Sequence, residues 1–193
     1  MLYSVVMKQT QQLVEEERSI ETYKILRMRG RPKVLLATSY EEAMALYERF
    51  EPYILTVLSD VRFQNGGRED AEAGFRFLSR ARERKPDLPV LIQSSESENR
   101  EKAYSLGASF ADKNTNTLGY ELTQFFQAQL GFGPFVFRNQ DGGALARARN
   151  MDEFERHMRN VPAETPFYPA ERTHFSPWLM ARGEIRFARI IRN

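Results

Sequence analysis

The chain has 193 residues, enough for one domain of ordinary size and a smaller appendage. Hydrophobic residues make up 41%, with 14 Phe and 8 Tyr, and the 28% of charged residues are well mixed, which builds a core and excludes long disorder. A formal net charge of +2 excludes a polycation, and the absence of cysteine excludes disulfides, zinc ribbons and thiol chemistry.

The charge is uneven along the chain. From Gly133 onward there are 10 Lys and Arg against 7 Asp and Glu, leaving 18 against 19 before it, so the basic surplus sits in the tail. No run is long and apolar enough to span a bilayer, and the opening MLYSVVMKQTQQLVEEERS lacks the basic start and cleavage site of a signal peptide. The expectation is a soluble, cytoplasmic protein without a membrane partner.

Residues Leu2 to Met28 read as one long helix, with Val6, Leu13 and Ile20 recurring every seven residues and Arg29-Gly30-Arg31-Pro32 ending it. Such a stripe packs on its own domain or forms a homodimer. The run Lys33–Thr38 (KVLLAT) reads as a buried strand. Ser39 with Glu42 forms a capping box that opens a helix over Tyr40–Phe50. Tyr53–Ser59 is a second apolar strand ending at Asp60, and the polar loop Gln64–Glu69 leads to a helix over Ala71–Arg84. Val90–Ser94 is a third strand, Glu96–Leu106 a helix closed by Gly107, Ser109–Ala111 a short fourth strand, and Leu118–Leu130 a helix closed by Gly131.

Strands alternating with helices, without hairpin signals, predict an α/β fold with a parallel sheet covered by helices on both faces. Ligands in such folds sit beyond the carboxyl ends of the strands. The tail differs. Phe135–Arg138 and Ala144–Arg147 flank a Gly-Gly turn and predict a hairpin. Asp152–Asn160 reads as a helix, prolines follow at 162, 166 and 169, and Ser176-Pro177 is expected to open a last helix over Trp178–Arg192. The expected division is therefore 1–132 and 133–193, the latter a small α+β tail with Trp178, Phe175 and Phe187 as its core.

Three residues stand where strands stop: Asp60, Ser94 and Lys113. A carboxylate can attack phosphorus to give an acyl phosphate, a hydroxyl can hydrogen-bond the new oxygens, and a lysine can neutralise their charge. The stretches Val57-Leu58-Ser59-Asp60 and Leu88-Pro89-Val90-Leu91-Ile92-Gln93-Ser94, Gly107-Ala108 before Lys113, and the helix Ala73–Leu78 together resemble a response-regulator receiver domain. The resemblance covers about Lys33 to Leu130. It implies a flavodoxin-like sheet, two-component signalling, Asp60 as phosphoacceptor, Ser94 and Lys113 as the residues that sense the phosphoryl group, the last helix of the fold as relay, and a histidine kinase or phosphotransfer protein as partner.

The same resemblance implies a first strand ending in an acidic pair that holds Mg²⁺ beside the phosphoacceptor. Here only Met1–Met7 stands where that strand would be, followed by Lys8 and Gln9. Asp60 alone is an incomplete Mg²⁺ site. Asp112 belongs to another strand and reads as a loop residue. The expectation is an acidic strand encoded upstream of Met1; the alternatives are a degenerate pseudo-receiver acting as a protein-interaction module, and a gap filled by a second chain.

The tail shows no helix-turn-helix, so nucleic acid is not the expected partner, although Arg182, Arg186 and Arg189 share a helical face. His157 and His174 read as structural. The runs Arg27–Lys33, Gln93–Glu96 and His174–Arg182 resemble the regulatory region of bacterial multidomain proteins with a phosphoenolpyruvate/pyruvate-binding dikinase-like module. That would make the chain a regulatory fragment of a phosphotransferase; no dikinase catalytic part lies in these residues, so the chain itself is not expected to be an enzyme.

Overall fold

A computed structural model describes residues 2–16, 32–139, 141, 143–160 and 169–192. The chain divides into two compact units, Lys33–Phe125 and the combination of Met1–Pro32 with Phe126–Asn193. The division differs from the expected 1–132 and 133–193: the N-terminal helix groups with the tail, and the cut falls inside a helix.

The Lys33–Phe125 unit is α/β. Its elements are α2 (Tyr40–Phe50), β1 (Val57–Asp60), β2 (Phe63–Asn65), β3 (Arg68–Asp70), α3 (Ala73–Arg84), β4 (Val90–Ser94), α4 (Asn99–Ser105), β5 (Ser109–Asp112) and the start of α5 (Leu118–Gln129), with α1 (Leu2–Glu16) preceding them in the other unit. Strands β1, β4 and β5 form a parallel sheet in the order β1-β4-β5, with Asp60 opposite Gln93 and Ser94 opposite Asp112. Val90, Leu91 and Ile92 are all buried, so both faces of the central strand are covered, as their unbroken apolar run predicts. Tyr47, Phe77, Leu78 and Ile92 join one apolar cluster, and each fully buried aliphatic contributes about 1.5–3 kcal/mol.

The expected strand Lys33–Thr38 is not formed. The segment has no regular structure, and Val34, Leu35 and Leu36 are 45%, 49% and 77% exposed. A strand exists through its ladder, and this run pairs with no strand among the described residues; Ser39, just after it, makes an isolated parallel bridge to Gln64. The capping signal holds: Ser39 Oγ accepts from the Glu42 N–H, while the Glu42 carboxylate reaches back to the Thr38 N–H at 2.8 Å. The second strand is shorter than expected: Glu51–Tyr53 around Pro52 forms a 3₁₀ turn, and the strand begins at Val57.

The expected loop Gln64–Glu69 is a hairpin, β2 against β3, closed by Gly66 and Gly67 at φ 61° and 74°. Positive φ at both central residues matches the twist of the flanking strands. Helix α4 ends at Ser105, where Gly107 at φ 71° donates to the Tyr104 carbonyl and Ala108 to that of Ala103. The Arg82 guanidinium crosses from α3 to this turn and donates to the carbonyls of Leu88, Leu106 and Gly107.

The other unit holds α1, the hairpin β6 (Phe135–Arg138) and β7 (Ala144–Ala148), α6 (Met151–Asn160), α7 (Pro169–Ala181) and α8 (Ile185–Arg192). The predicted hairpin is present, bulged at Phe137/Arg138. Residues 17–31 lie outside the described residues, and with them Ile20 and the end of the predicted long helix. Val6, Gln9, Thr10 and Leu13 form the buried face of α1, and Gln127 Nε2 donates to Gln9 Oε1 at 3.3 Å.

The last predicted helix is two helices. Gly183 at φ 78° donates to the Met180 carbonyl and Glu184 to that of Leu179, which ends α7 before α8 begins. Pro177 lies inside α7 rather than opening a helix, and the Ser176 hydroxyl donates to the Ala188 carbonyl. Phe187 is exposed, because α8 turns the small Ala188 to the core. Phe135, Phe137 and Phe154 take its expected place around Trp178 and Phe175. No helix among the described residues is long and apolar enough to cross a membrane.

Candidate functional site at the carboxyl ends of the parallel strands

Parallel strands in one sheet all end on the same edge, so β1, β4 and β5 deliver their last residues together. Asp60 ends β1, Ser94 ends β4, and Lys113 follows the last residue of β5. The Lys113 ammonium lies 2.6 Å from Asp60 Oδ1, and the Lys113 backbone N–H donates to the Ser94 carbonyl at 2.9 Å. The structure thus brings together all three residues expected from the sequence. Both members of the ion pair are substantially exposed, at 38% for the Lys113 side chain and 48% for Asp60, so a solute can reach the carboxylate.

Ser94 is buried, and its hydroxyl is held by its surroundings. It accepts from the Glu96 backbone N–H and from Asn99 Nδ2, each at 3.0 Å. Both bonds use the oxygen as acceptor, which leaves the hydroxyl proton to donate elsewhere. The arrangement offers a carboxylate nucleophile, an ammonium beside it and a hydroxyl donor on the neighbouring strand.

Two features were not read from the sequence as parts of the site. Gly74, near the start of α3, donates to the Val61 carbonyl at 2.9 Å. A Cβ there would fall inside contact distance of the Asp60 carbonyl oxygen and 3.1 Å from Val61 Cα. Only glycine lets α3 press this close behind Asp60. The signal was a glycine in a helical pattern, which marks a close approach without saying to what.

The second feature is an ion-pair arch. Arg62 Nη2 donates to Glu96 Oε1 at 3.0 Å, and Arg62 Nε lies 3.5 Å from Glu69 Oε1 on the hairpin. The hairpin is tied further by Glu41, which accepts from the Gly66 N–H at 2.7 Å, and by Asp70, which accepts from Asn65 Nδ2 and the Glu72 N–H. These donors hold both carboxyls below the ordinary carboxylate range, chiefly the Gly66 N–H for Glu41 and the Asn65 amide for Asp70.

Among the described residues no three acidic or histidine side chains gather to hold a metal ion, and one Asp60 oxygen already faces Lys113. Asp112 is turned to its own loop, where its carboxylate accepts from the Asn114 N–H. Arg182, read from the sequence as sharing a helical face with Arg186 and Arg189, is buried and directs its guanidinium at the carbonyls of Gly131, Gly133 and Arg149. His157 packs its ring against Phe137; the side chain of His174 lies outside the described residues. No protein-family model, curated protein or solved structure matches the chain.

Proposed function

We propose that the chain is a receiver-type signalling module that accepts a phosphoryl group on Asp60, with Ser94 and Lys113 as the residues that read it. The observation that carries this reading is the Lys113 ammonium 2.6 Å from Asp60 Oδ1 at the carboxyl edge of the parallel sheet. An Asp60 oxygen attacks the phosphorus of an activated donor, the bond from phosphorus to the leaving group breaks, and the leaving group departs with the electron pair. The product is an acyl phosphate carrying about two negative charges, which Lys113 offsets and the Ser94 hydroxyl hydrogen-bonds. The donor is a histidine kinase or phosphotransfer protein, and the module works in the cytoplasm, on its own or as the regulatory part of a larger phosphoenolpyruvate/pyruvate-binding protein.

Among the described residues no cluster of three acidic side chains accompanies Asp60, and this favours a second reading. A pseudo-receiver uses the same surface to bind a partner and takes no phosphate. Intact mass after incubation with acetyl phosphate separates the two. A single phosphoryl adduct on the chain, absent from Asp60→Asn, is the expected result; no adduct on the folded chain, with or without Mg²⁺, leaves the pseudo-receiver.

A further inference from the structure

We propose that Asn65 is a site of spontaneous deamidation at the tip of the β2–β3 hairpin, and that Glu41 and Asp70 gate it by holding the two nitrogens that take part. The inference stands apart from the reading of Asp60 and goes beyond it.

The chemistry starts from the dipeptide. An asparagine loses its amide when the next residue's backbone nitrogen attacks the side-chain carbon Cγ. A side chain on that next residue stands in the way, and glycine has none. Asn65-Gly66 is the only Asn-Gly in the sequence; Asn99, Asn114, Asn116, Asn139, Asn150 and Asn160 all precede larger residues. Gly66 is exposed, and nothing beyond its chain neighbours lies within 4 Å of where its Cβ would stand, so water and base reach the bond. In the reaction Gly66 N gives its proton to base and bonds to Asn65 Cγ. The Cγ–Nδ2 bond breaks, and that nitrogen takes up protons from water and leaves as ammonia. Water then adds to one carbonyl of the cyclic imide and leaves aspartate, or to the other and leaves isoaspartate, whose main chain runs through the side chain. The sum is asparagine and water giving aspartate or isoaspartate and ammonia.

The closed hairpin holds both ends of this exchange. The attacking nitrogen, Gly66 N, donates to Glu41 Oε1 at 2.7 Å, and the departing nitrogen, Asn65 Nδ2, donates to Asp70 Oδ2 at 2.8 Å. Both acceptors are carboxylates, among the strongest partners an N–H finds. The Glu41 carboxyl, held below its ordinary range, is too weak a base to remove the amide proton, so its bond restrains Gly66 N without activating it. The backbone is fixed as well, since Asn65 pairs with Arg68 across the hairpin. Deamidation therefore runs through the opened hairpin that local unfolding supplies. The product does not close again in the same way. Aspartate at this position has no side-chain N–H to give, and its charge faces Asp70, whose side chain is only 16% exposed. Isoaspartate also shifts the main chain out of the Asn65–Arg68 register. Asp70 accepts in addition from the Glu72 N–H just before α3, so the change reaches the start of that helix. The hairpin thus keeps a one-way record of its own openings.

The test follows the Asn65 peptide by mass spectrometry while the full chain stands in warm, mildly alkaline buffer, with and without urea. Conversion to aspartate and isoaspartate is expected in both, roughly fivefold or more slower without urea. Glu41→Ala frees the Gly66 N–H from an exposed acceptor and speeds conversion in buffer by roughly two- to fivefold. Glu41→Gln, which keeps an acceptor, lies between the two. Asp70→Ala, a second variant that leaves α2 untouched, frees the departing nitrogen and speeds conversion as well. In urea the Glu41 variants and the unaltered chain convert at one rate, because no hairpin remains to hold. Asn65→Asp, the product made directly, moves the Gly66 amide resonance. Equal rates with and without urea, or a Glu41→Ala rate in buffer equal to that of the unaltered chain, overturn the gate. A Glu41→Ala gain that persists in urea assigns it to something other than the hairpin and overturns the gate as well. No conversion in urea over the same time overturns the modification site itself.

Discussion

Arg182 in one unit and Lys113 and Arg62 in the other use their charges in opposite ways. In the unit built from both chain ends, Arg182 is only 1% exposed and lies over the Trp178 ring, with its nitrogens directed at main-chain carbonyls of Gly131, Gly133, Arg149 and Trp178. It acts as a fixed strut that satisfies carbonyls left over by three segments of chain. In the Lys33–Phe125 unit, Lys113 and Arg62 are exposed and face carboxylates. Exposed pairs add little stability but can exchange partners when a new charge arrives. The contrast separates a cation that holds the fold from cations that can report an event.

The largest effect is expected at the strut. Arg182→Met keeps apolar length and removes every donor, which strands several buried carbonyls and costs about 3 kcal/mol or more. Trp178 is the chain's single tryptophan, so its fluorescence reports this unit, while far-UV circular dichroism reports both. The fluorescence transition in Arg182→Met falls to lower temperature, and the adduct on Asp60 still forms. A variant that unfolds at the wild-type temperature would show that Arg182 is not a strut.

Gly74→Ala reverses the pattern. The added Cβ meets the Asp60 main chain, where nothing can yield as a side chain would, and overpacking of this kind costs roughly 1–3 kcal/mol. The expected outcome is a shifted sheet end: adduct formation drops severely while the Trp178 fluorescence transition stays. Normal phosphorylation in Gly74→Ala would mean that α3 does not position the site.

The contrast also explains what could be read in advance. The strands β1, β4 and β5 and the residues that end them follow from short apolar runs stopped by Asp60, Ser94 and Lys113, a pattern local enough to be legible. Lys33–Thr38 carries the same local pattern and forms no strand, because pairing depends on a neighbour and periodicity does not supply one. The hairpin was hidden by polarity: Gln64 to Glu69 looks like a loop until Gly66-Gly67 is recognised as a two-residue turn. Arg182 was misplaced for a related reason. A helical stripe of Arg182, Arg186 and Arg189 assumes one continuous helix, and Gly183 divides it. The Arg62–Glu96 arch joins residues 34 positions apart, which no motif reveals.

The smallest effect sharpens the boundary between holding and reporting within the site's own neighbourhood. Glu41 and Asp70 tie the hairpin through hydrogen bonds to their ionised forms, so both carboxyls titrate below their ordinary values. A depressed carboxyl contributes stability that is complete above its unfolded value near about 4 and is lost as pH falls through the lower folded value. Acid is therefore expected to loosen β2–β3 before it unfolds the parallel sheet, whose central run Val90–Ile92 is apolar and buried. The Gly66 amide resonance, which reports the bond to Glu41, moves as pH is lowered from about 5 to about 2. In Glu41→Gln that movement disappears while the melting temperature at neutral pH barely changes, since a carboxamide oxygen still accepts the Gly66 N–H. A Gly66 resonance that moves identically in both chains would assign the acid response to Asp70, and the hairpin would then be held from its α3 side, away from the residues that cap α2.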